Sequence, residues 1–566
     1  MRGVSSMVAI CAACVLVASA TGADRAARAV TVGVFPSSTT IRGSAPLPAT
    51  PASNVSLKTA TGEQEDAMIV VSGAKLVHVI APPAVGPLPL KVMFAHYVSF
   101  GGTLVPDALL PWDGGARATE QQNQPIWLQV TVPLGTAPGT YTTEISVVAD
   151  GSGTTVPVSV QVFPVALPAP NQVAGNLLTA FHVSAETYGS TVGKQNGYTQ
   201  STQFQGISPT LYSFLASYRI SPSSWGFGAP NEKSGYTSNK KWWLDSAANM
   251  PAEAKAGIFA AMAIPISNNR TSPSNYIAGL SPSSPGTWCS YLESVHGFWQ
   301  RHGWTGSFPY VYGMDEPGLA GMHVVATQAA AVHSCFPGGK AIVTGNPSEN
   351  NSFLWNGGND DVDTWVVLAN RYYGQYTNPK QSRAGISHAR DKQKAIDAVR
   401  ARGKMIWTYN YPNTNTPGFT VTEPLSNSTM LFLWSALENI RGVLYGEGTT
   451  NYQGDPLDSV AQNGAFVLLY PGKHSPIPSA RLEQIRDGIE DWDILQIVRE
   501  QHGADAVRAI LGAGLFSADA SGAKLGCTIG CPVKTSTPFS WPTYSHDAST
   551  PGKIEQAKAQ ALKAAS

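Results

Sequence analysis

The feature that most limits the fold is a change of periodicity at a proline-rich segment, Pro164 to Pro170 (PVALPAP). Before it, β-branched or alternating runs are separated by turn-formers such as Ala137-Pro138-Gly139 and Asp150-Gly151-Ser152-Gly153. The runs predict strands at Ala67–Val71, Lys75–Ile80, Leu90–Phe94, Ile126–Val132, Tyr141–Val148 and Val156–Val162. Short strands repeated at this spacing predict a β-sandwich over residues 30–168. After the segment, strand-length runs alternate with helical stretches. Strands are predicted at Asn176–Val183, Ser221–Phe227, Gly257–Ile266, Phe308–Met314, Ala341–Gly345, Val362–Leu368, Lys404–Tyr411 and Gly442–Glu447. Helices are predicted at Leu211–Tyr218, Trp288–Arg301, Val324–Ser334, Gln393–Arg402 and Met430–Asn439. Eight strands alternating with helices over about 270 residues predict a (β/α)8 barrel of the TIM type, with an open doubly wound sheet as the alternative. No G-x-G-x-x-G follows the first strand and no Walker motif is present, so no cofactor is expected.

One further apolar strand, Ala465–Tyr470, precedes a long helix from Ser479, where Leu482, Ile485, Ile489, Trp492 and Leu495 recur at helical spacing. Its charged residues Arg481, Glu483, Arg486, Asp487, Glu490 and Asp491 are expected to form an ion-pair lattice against the barrel wall. A last helix is predicted near Ile554–Ala565. The fold class is thus multidomain β plus α/β: an N-terminal β-sandwich, a barrel with its long helix within 172–500, and a C-terminal helical extension over 501–566.

Composition narrows the function. With 37 basic and 37 acidic residues and no block of like charge, the chain lacks the basic patch of a nucleic-acid binder. Charged residues are 13%, about half the usual ~25%, yet 43% of residues are hydrophobic, which excludes disorder as the reason. At the amino terminus Arg2 precedes the apolar run Met7–Ala20, and Ala18-Ser19-Ala20 fits a cleavage site. That run falls short of the ~20 residues that span a bilayer. The expectation is a signal peptide over 1–20 and a secreted protein without stable membrane insertion, an uncleaved anchor being the alternative. Four cysteines then remain, and the expected pairs are Cys289–Cys335 and Cys527–Cys531.

A barrel of this kind carries its active site at the carboxyl ends of its strands. The fourth predicted strand runs Tyr310-Val311-Tyr312-Gly313-Met314 straight into Asp315-Glu316-Pro317. Two adjacent acids at the edge of a packed barrel repel each other and so call for a reason. Neighbours on a strand point to opposite faces and are poorly placed as an opposed acid and nucleophile ~5–5.5 Å apart across a sugar. They suit a reaction in which a 2-acetamido group on the sugar is the nucleophile. Glu316 then protonates the leaving oxygen and later activates water, while Asp315 orients the amide. The bland alternative has Asp315 capping the next helix with Glu316 in its first turn.

Aromatic residues near other strand ends suit the C–H faces of sugars: Trp225, Tyr372 and Tyr373, the alternating Trp407, Tyr409 and Tyr411, and Tyr445. Tyr312 joins them on the acidic strand, and Glu447 is the candidate for a distant second carboxylate. The 11 histidines form no H-E-x-x-H pair or tight cluster, so no metal is expected, and no G-x-S-x-G elbow is present.

Pro478 to Leu495 (PSARLEQIRDGIEDWDIL), shortly after Tyr470-Pro471-Gly472, resembles the carboxyl-terminal signature of proteins related to glycoside hydrolase family 123, the group containing domain of unknown function 4091. Leu433-Trp434 with Gly442-Val443-Leu444-Tyr445, Asp315-Glu316-Pro317, and Trp127 to Tyr141 resemble further parts of that family. The resemblance implies a β-sandwich followed by a barrel, and retaining, substrate-assisted hydrolysis of β-linked N-acetylgalactosamine. By the same resemblance Asp315 orients the amide, Glu316 is the acid/base, and the partner is a glycan. Two other readings stay open: a glycosidase using Glu316 with Glu447, and a non-catalytic carbohydrate-binding protein.

Overall fold

A computed structural model describes residues 29–183, 211–223, 259–264, 285–301, most of 303–347, 362–369, Tyr372, 395–410, 416–446, most of 452–512, 514–517, 543–544 and 547–566. The predicted Cys527–Cys531 pair and residues 1–20 lie outside them. Eleven strands come first: β1 (Thr31–Pro36), β2 (Val55–Thr61), β3 (Gln64–Ser72), β4 (Leu76–Ile80), β5 (Ala84–Val85), β6 (Leu88–Phe100), β7 (Thr103–Pro111), β8 (Arg117–Ala118), β9 (Asn123–Thr131), β10 (Gly139–Ala149) and β11 (Ser152–Ala166). One sheet runs β1-β3-β9-β6-β5 with β7 on β6, and the other runs β2-β11-β10-β4-β8. Every pair is antiparallel except β2 with β11. Val, Ile and Leu side chains of both sheets share one buried cluster, so the sheets pack face to face. Asp150 (φ 47°) and Gly151 (φ 85°) are the two loop residues of the β10–β11 hairpin. Positive φ at both is what a type I′ turn requires, and it matches the twist of the strands.

The second body is built on β12 (Leu178–Phe181), β13 (Ala261–Ala263), β14 (Phe308–Tyr312), β15 (Lys340–Thr344), β16 (Thr364–Leu368), β17 (Met405–Tyr409) and β18 (Gly442–Tyr445). These seven form one parallel sheet in the order β12-β18-β17-β16-β15-β14-β13, a nearly closed barrel. Its two edges meet through residues 220–223. Phe181 N–H donates to Ser221 O at 2.9 Å, Ser223 N–H to Phe181 O at 2.8 Å, and Ala261 N–H to Ser221 Oγ at 3.3 Å. Inside the barrel, Phe308, Tyr310 and Trp407 pack against Ala180, Ala261 and Ala263. Gly442 completes this layer, since a Cβ there would stand 2.4 Å from the Trp407 ring. Outside, Val311, Val343, Val367, Ile406 and Val443 pack under helices. These include α1 (Pro285–Arg301), α2 (Leu319–Cys335), α3 (Asn427–Leu437) and α4 (Ala480–His502). Cys289 of α1 and Cys335 of α2 are disulfide-bonded as expected, with Cα atoms 5.0 Å apart. Two helices close the chain, α5 (Ala504–Gly512) and α6 (Thr550–Ala565).

Helix α4 joins the two bodies. Ser479 caps it, its Oγ accepting the Leu482 N–H at 3.0 Å, and Gly503 (φ 84°) ends it. Its charges do form a lattice, but the partners reach beyond the barrel wall to the sandwich. Arg481 grips Asp107 of β7 with Nε at 2.9 Å and Nη2 at 2.7 Å. Arg486 reaches Asp66 of β3 at 2.8 Å and Asp487 at 2.7 Å, and also pairs with Glu483. Gln129 of β9 donates to Glu483 at 2.8 Å. Arg219 holds Glu490 at 3.3 Å and Asp493 at 3.2 Å, and Lys558 of α6 pairs with Glu63, Glu65 and Asp491. All eleven of these cluster groups are buried: Glu63, Glu65, Asp66, Glu483, Asp487, Glu490, Asp491, Asp493, Arg219, Arg486 and Lys558.

Carboxylates outnumber cations here, and burial pushes the carboxyls of Glu483, Glu490, Asp491 and Asp493 up to about 7. The folded protein therefore keeps protons that the unfolded chain has released above about pH 4. The sign follows: this stability is fully present below the unfolded carboxyl pKa and is lost as pH rises through about 7. The thermal midpoint is expected to be higher at about pH 5.5 than at about pH 8, as scanning calorimetry would show. A midpoint that rises over that interval contradicts the expectation.

Candidate active site

Strand β14 stops at Tyr312, so strand alternation no longer governs where Asp315 and Glu316 point. The chain bends there, and Glu316 takes φ 43°, in the left-handed region that a non-glycine residue adopts only under constraint. Packing fixes the bend from behind. Met314 and Pro317 are buried against Gly321 of α2, where a Cβ would stand 2.7 Å from Met314 Sδ and 2.8 Å from Pro317 Cβ. Helix α2 begins at Leu319, past both acids, so neither is its cap.

Three side chains from three strands hold the acids. From β14, Tyr312 donates its hydroxyl proton to Asp315 Oδ1 at 2.5 Å. From the neighbouring β15, Thr344 Oγ1 lies 3.1 Å from Asp315 Oδ1 and accepts the Glu316 N–H at 2.5 Å. From β17, Tyr409 donates to Glu316 Oε1. Burial, with the Asp315 carboxylate beside it, pushes the Tyr312 hydroxyl well above its ordinary value, so it remains a donor. Asp315 is half-buried and Glu316 exposed. One acid is thus clamped while its neighbour reaches into solvent. Such a pair can accept a hydrogen bond at a fixed point and exchange a proton beside it.

The other expected site residues lie elsewhere. Trp407 shares the inward face with Tyr409 but is wholly buried one layer lower, its ring 5.5 Å from Phe308 and 5.8 Å from Tyr310. Tyr445 shares the outward face of β18 with Val443, packed 5.5 Å from Phe181 and 5.1 Å from Phe419. Tyr372 is buried outside the barrel wall, edge-on to Trp434 at 5.2 Å, and its hydroxyl donates to Glu438 at 3.2 Å. Trp225, Glu447, Tyr373 and Tyr411 lie outside the described residues. Sequence reasoning missed Thr344, whose only signal is a hydroxyl at the carboxyl end of a barrel strand. It also passed over His182, exposed just past β12 at the same end, with its N–H on Tyr445 O at 2.8 Å.

Comparison with known proteins agrees with this architecture. Residues 241–498 match the family model described as glycoside hydrolase 123, catalytic domain. The structure resembles that of a family 123 glycoside hydrolase from Clostridium perfringens, studied for glycolipid glycan hydrolysis. The TM-score is 0.62 at 12% identity, over 95% of this chain and 98% of that one. A GH10 xylanase with a bacterial Ig-like domain, from termite gut, aligns at a TM-score of 0.31 and 10% identity, over 77% of this chain and 99% of that one. No curated protein matches the chain. Residues 241–498 thus carry a family 123-like glycoside hydrolase catalytic domain.

Proposed function

We propose that the chain is a secreted, retaining hydrolase that cleaves β-linked N-acetylhexosaminides, N-acetylgalactosamine foremost, with the substrate's own acetamido group as nucleophile. The observation that carries this reading is the Asp315–Glu316 pair hooked on one side of the barrel by Tyr312, Thr344 and Tyr409. Acids on adjacent residues cannot oppose each other across a sugar ring, as a protein nucleophile and its acid partner must. In this reading the nucleophile on the far side of the anomeric carbon is supplied by the sugar itself.

In the first step the acetamido oxygen bonds to C1 as the glycosidic bond breaks, and Glu316 gives its proton to the leaving oxygen. Tyr409 donates to Oε1 of Glu316, which leaves the transferable proton to the other oxygen. Asp315 accepts the amide N–H and steadies the positive oxazolinium ion. In the second step water adds to C1 while Glu316 takes a proton from it. The acetamide is released, and two inversions restore the β configuration.

The apolar run Met7–Ala20 and the Cys289–Cys335 disulfide support an extracytoplasmic site of action. Residues 220–223 between β12 and β13 support an eight-stranded barrel, with the strand beginning at Ser221 as the second. The test is a panel of aryl β-glycosides: N-acetylgalactosaminide, N-acetylglucosaminide, galactoside and arabinoside. Turnover is expected on acetamido sugars alone. Turnover confined to sugars without the amide removes the substrate-assisted reading and moves the nucleophile to another carboxylate, Glu447 first.

A further inference from the structure

The geometry points to Thr344 as the positioning residue that sets the two acids relative to each other, an inference that rests on reading Asp315 and Glu316 as the reacting pair. Its hydroxyl has one proton and two lone pairs. The proton goes to Asp315 Oδ1 at 3.1 Å, and a lone pair takes the Glu316 N–H at 2.5 Å. The same oxygen lies 3.2 Å from the Tyr312 hydroxyl, whose proton goes to Asp315 Oδ1. One side chain thus touches the carboxylate of the first acid and the backbone of the second.

The backbone contact matters because of where Glu316 sits. Its φ of 43° is a conformation that an L-residue leaves unless something holds it. To the packing of Met314 and Pro317 behind the bend, the hydrogen bond from the Glu316 N–H to Thr344 adds a directional hold, made just where the bend begins. Without it the bend can relax, and the Glu316 carboxyl then moves away from the leaving oxygen. Thr344 itself is 1% exposed, on the last residue of β15 and beneath the acids, so it acts through them and does not touch substrate.

Valine matches threonine in shape and branching but lacks the hydroxyl, whereas serine keeps the hydroxyl and drops the methyl. Thr344→Val and Thr344→Ser are compared with wild type on three aryl β-N-acetylgalactosaminides: dinitrophenyl, mononitrophenyl and unsubstituted phenyl. Dinitrophenolate leaves without protonation, whereas phenolate depends on the acid. The expected result is a kcat/KM loss, which reports the bond-breaking step alone, of about 10²-fold on the phenyl substrate in Thr344→Val, since displacement of a reacting group by about 1 Å costs that much. On the dinitrophenyl substrate the kcat/KM loss is only a few-fold, and Thr344→Ser recovers most of the kcat/KM on the phenyl substrate. A merely structural role lowers all three rates together, and that pattern overturns the inference. So does Thr344→Val turning over all three at wild-type rates. Wild type inactive on every acetamido substrate overturns the reading of the pair, and this inference with it.

Discussion

Glutamine in place of Glu316 is expected to lower kcat/KM on an aryl β-N-acetylgalactosaminide by about 10³-fold, within the range that a positioned general acid supplies. That corresponds to about 4 kcal/mol of transition-state stabilisation. The substitution isolates proton transfer. The amide keeps the size of the side chain, and its oxygen still accepts the Tyr409 hydroxyl, so the bend and its packing remain. Only the exchangeable proton is lost. Asp315→Asn, assayed beside it, keeps an oxygen for Tyr312 and Thr344 but loses the charge that the proposed mechanism sets beside the oxazolinium ion. A fall of about 10²-fold or more is expected there. Steady-state kinetics on both variants, with thermal unfolding as a check on folding, decide the matter. Glu316→Gln activity within tenfold of wild type places the acid elsewhere.

The acid pair was legible because an apolar strand that ends in two carboxylates conflicts with simple packing. The barrel strands were legible for a related reason, as continuous apolar runs bounded by turn-formers and helical stretches. What the runs do not carry is the direction of each side chain. Both faces of a barrel strand are buried, so no polar alternation separates inward from outward. Tyr409 and Tyr445 read alike in sequence, yet the first turns in toward Glu316 and the second packs outward on Phe181 and Phe419. Trp407 shares the face of Tyr409 and still falls too deep, a matter of layer that alternation alone does not give. In the sandwich, Pro106 and Pro111 argue against a strand where β7 runs. Strand β7 pairs with β6, where Pro106 lies opposite Tyr97 at a register shift, and makes a single further bridge from Ala108 to Ser479. The lattice of α4 was legible as charge but not as an interface. Its partners Asp66 and Asp107 are acids in strands more than three hundred residues earlier, and their burial appears only once the bodies are docked.

The largest effect on stability is expected at Arg486. Its guanidinium is fully buried and meets Asp66, Glu483 and Asp487, with Glu490 at 3.7 Å from Nε. The pairing is favoured enough that the neighbouring carboxylates push its pKa well above the ordinary value despite burial. Arg486→Met preserves much of the volume and removes the charge, which leaves a nest of carboxylates with no cation at its centre. Breaking a buried ion pair from one side costs about 3–5 kcal/mol. The cost depends on pH with a definite sign. Carboxylates that lose their cation shed the penalty by taking up protons, so the variant loses more stability at about pH 8 than at about pH 5.5. Urea unfolding of both proteins at the two pH values measures this, with each transition fitted separately because two bodies need not unfold together. Arg508→Met is the control: its partner Asp505 and the arginine itself are exposed, and a surface pair of that kind is worth about 0–1 kcal/mol. Equal, small losses at both arginines mean that packing of the apolar faces, and not the buried charges, holds the sandwich to the barrel. A large, pH-dependent loss at Arg486 alone means that the orientation of the two bodies is fixed by the charges of α4.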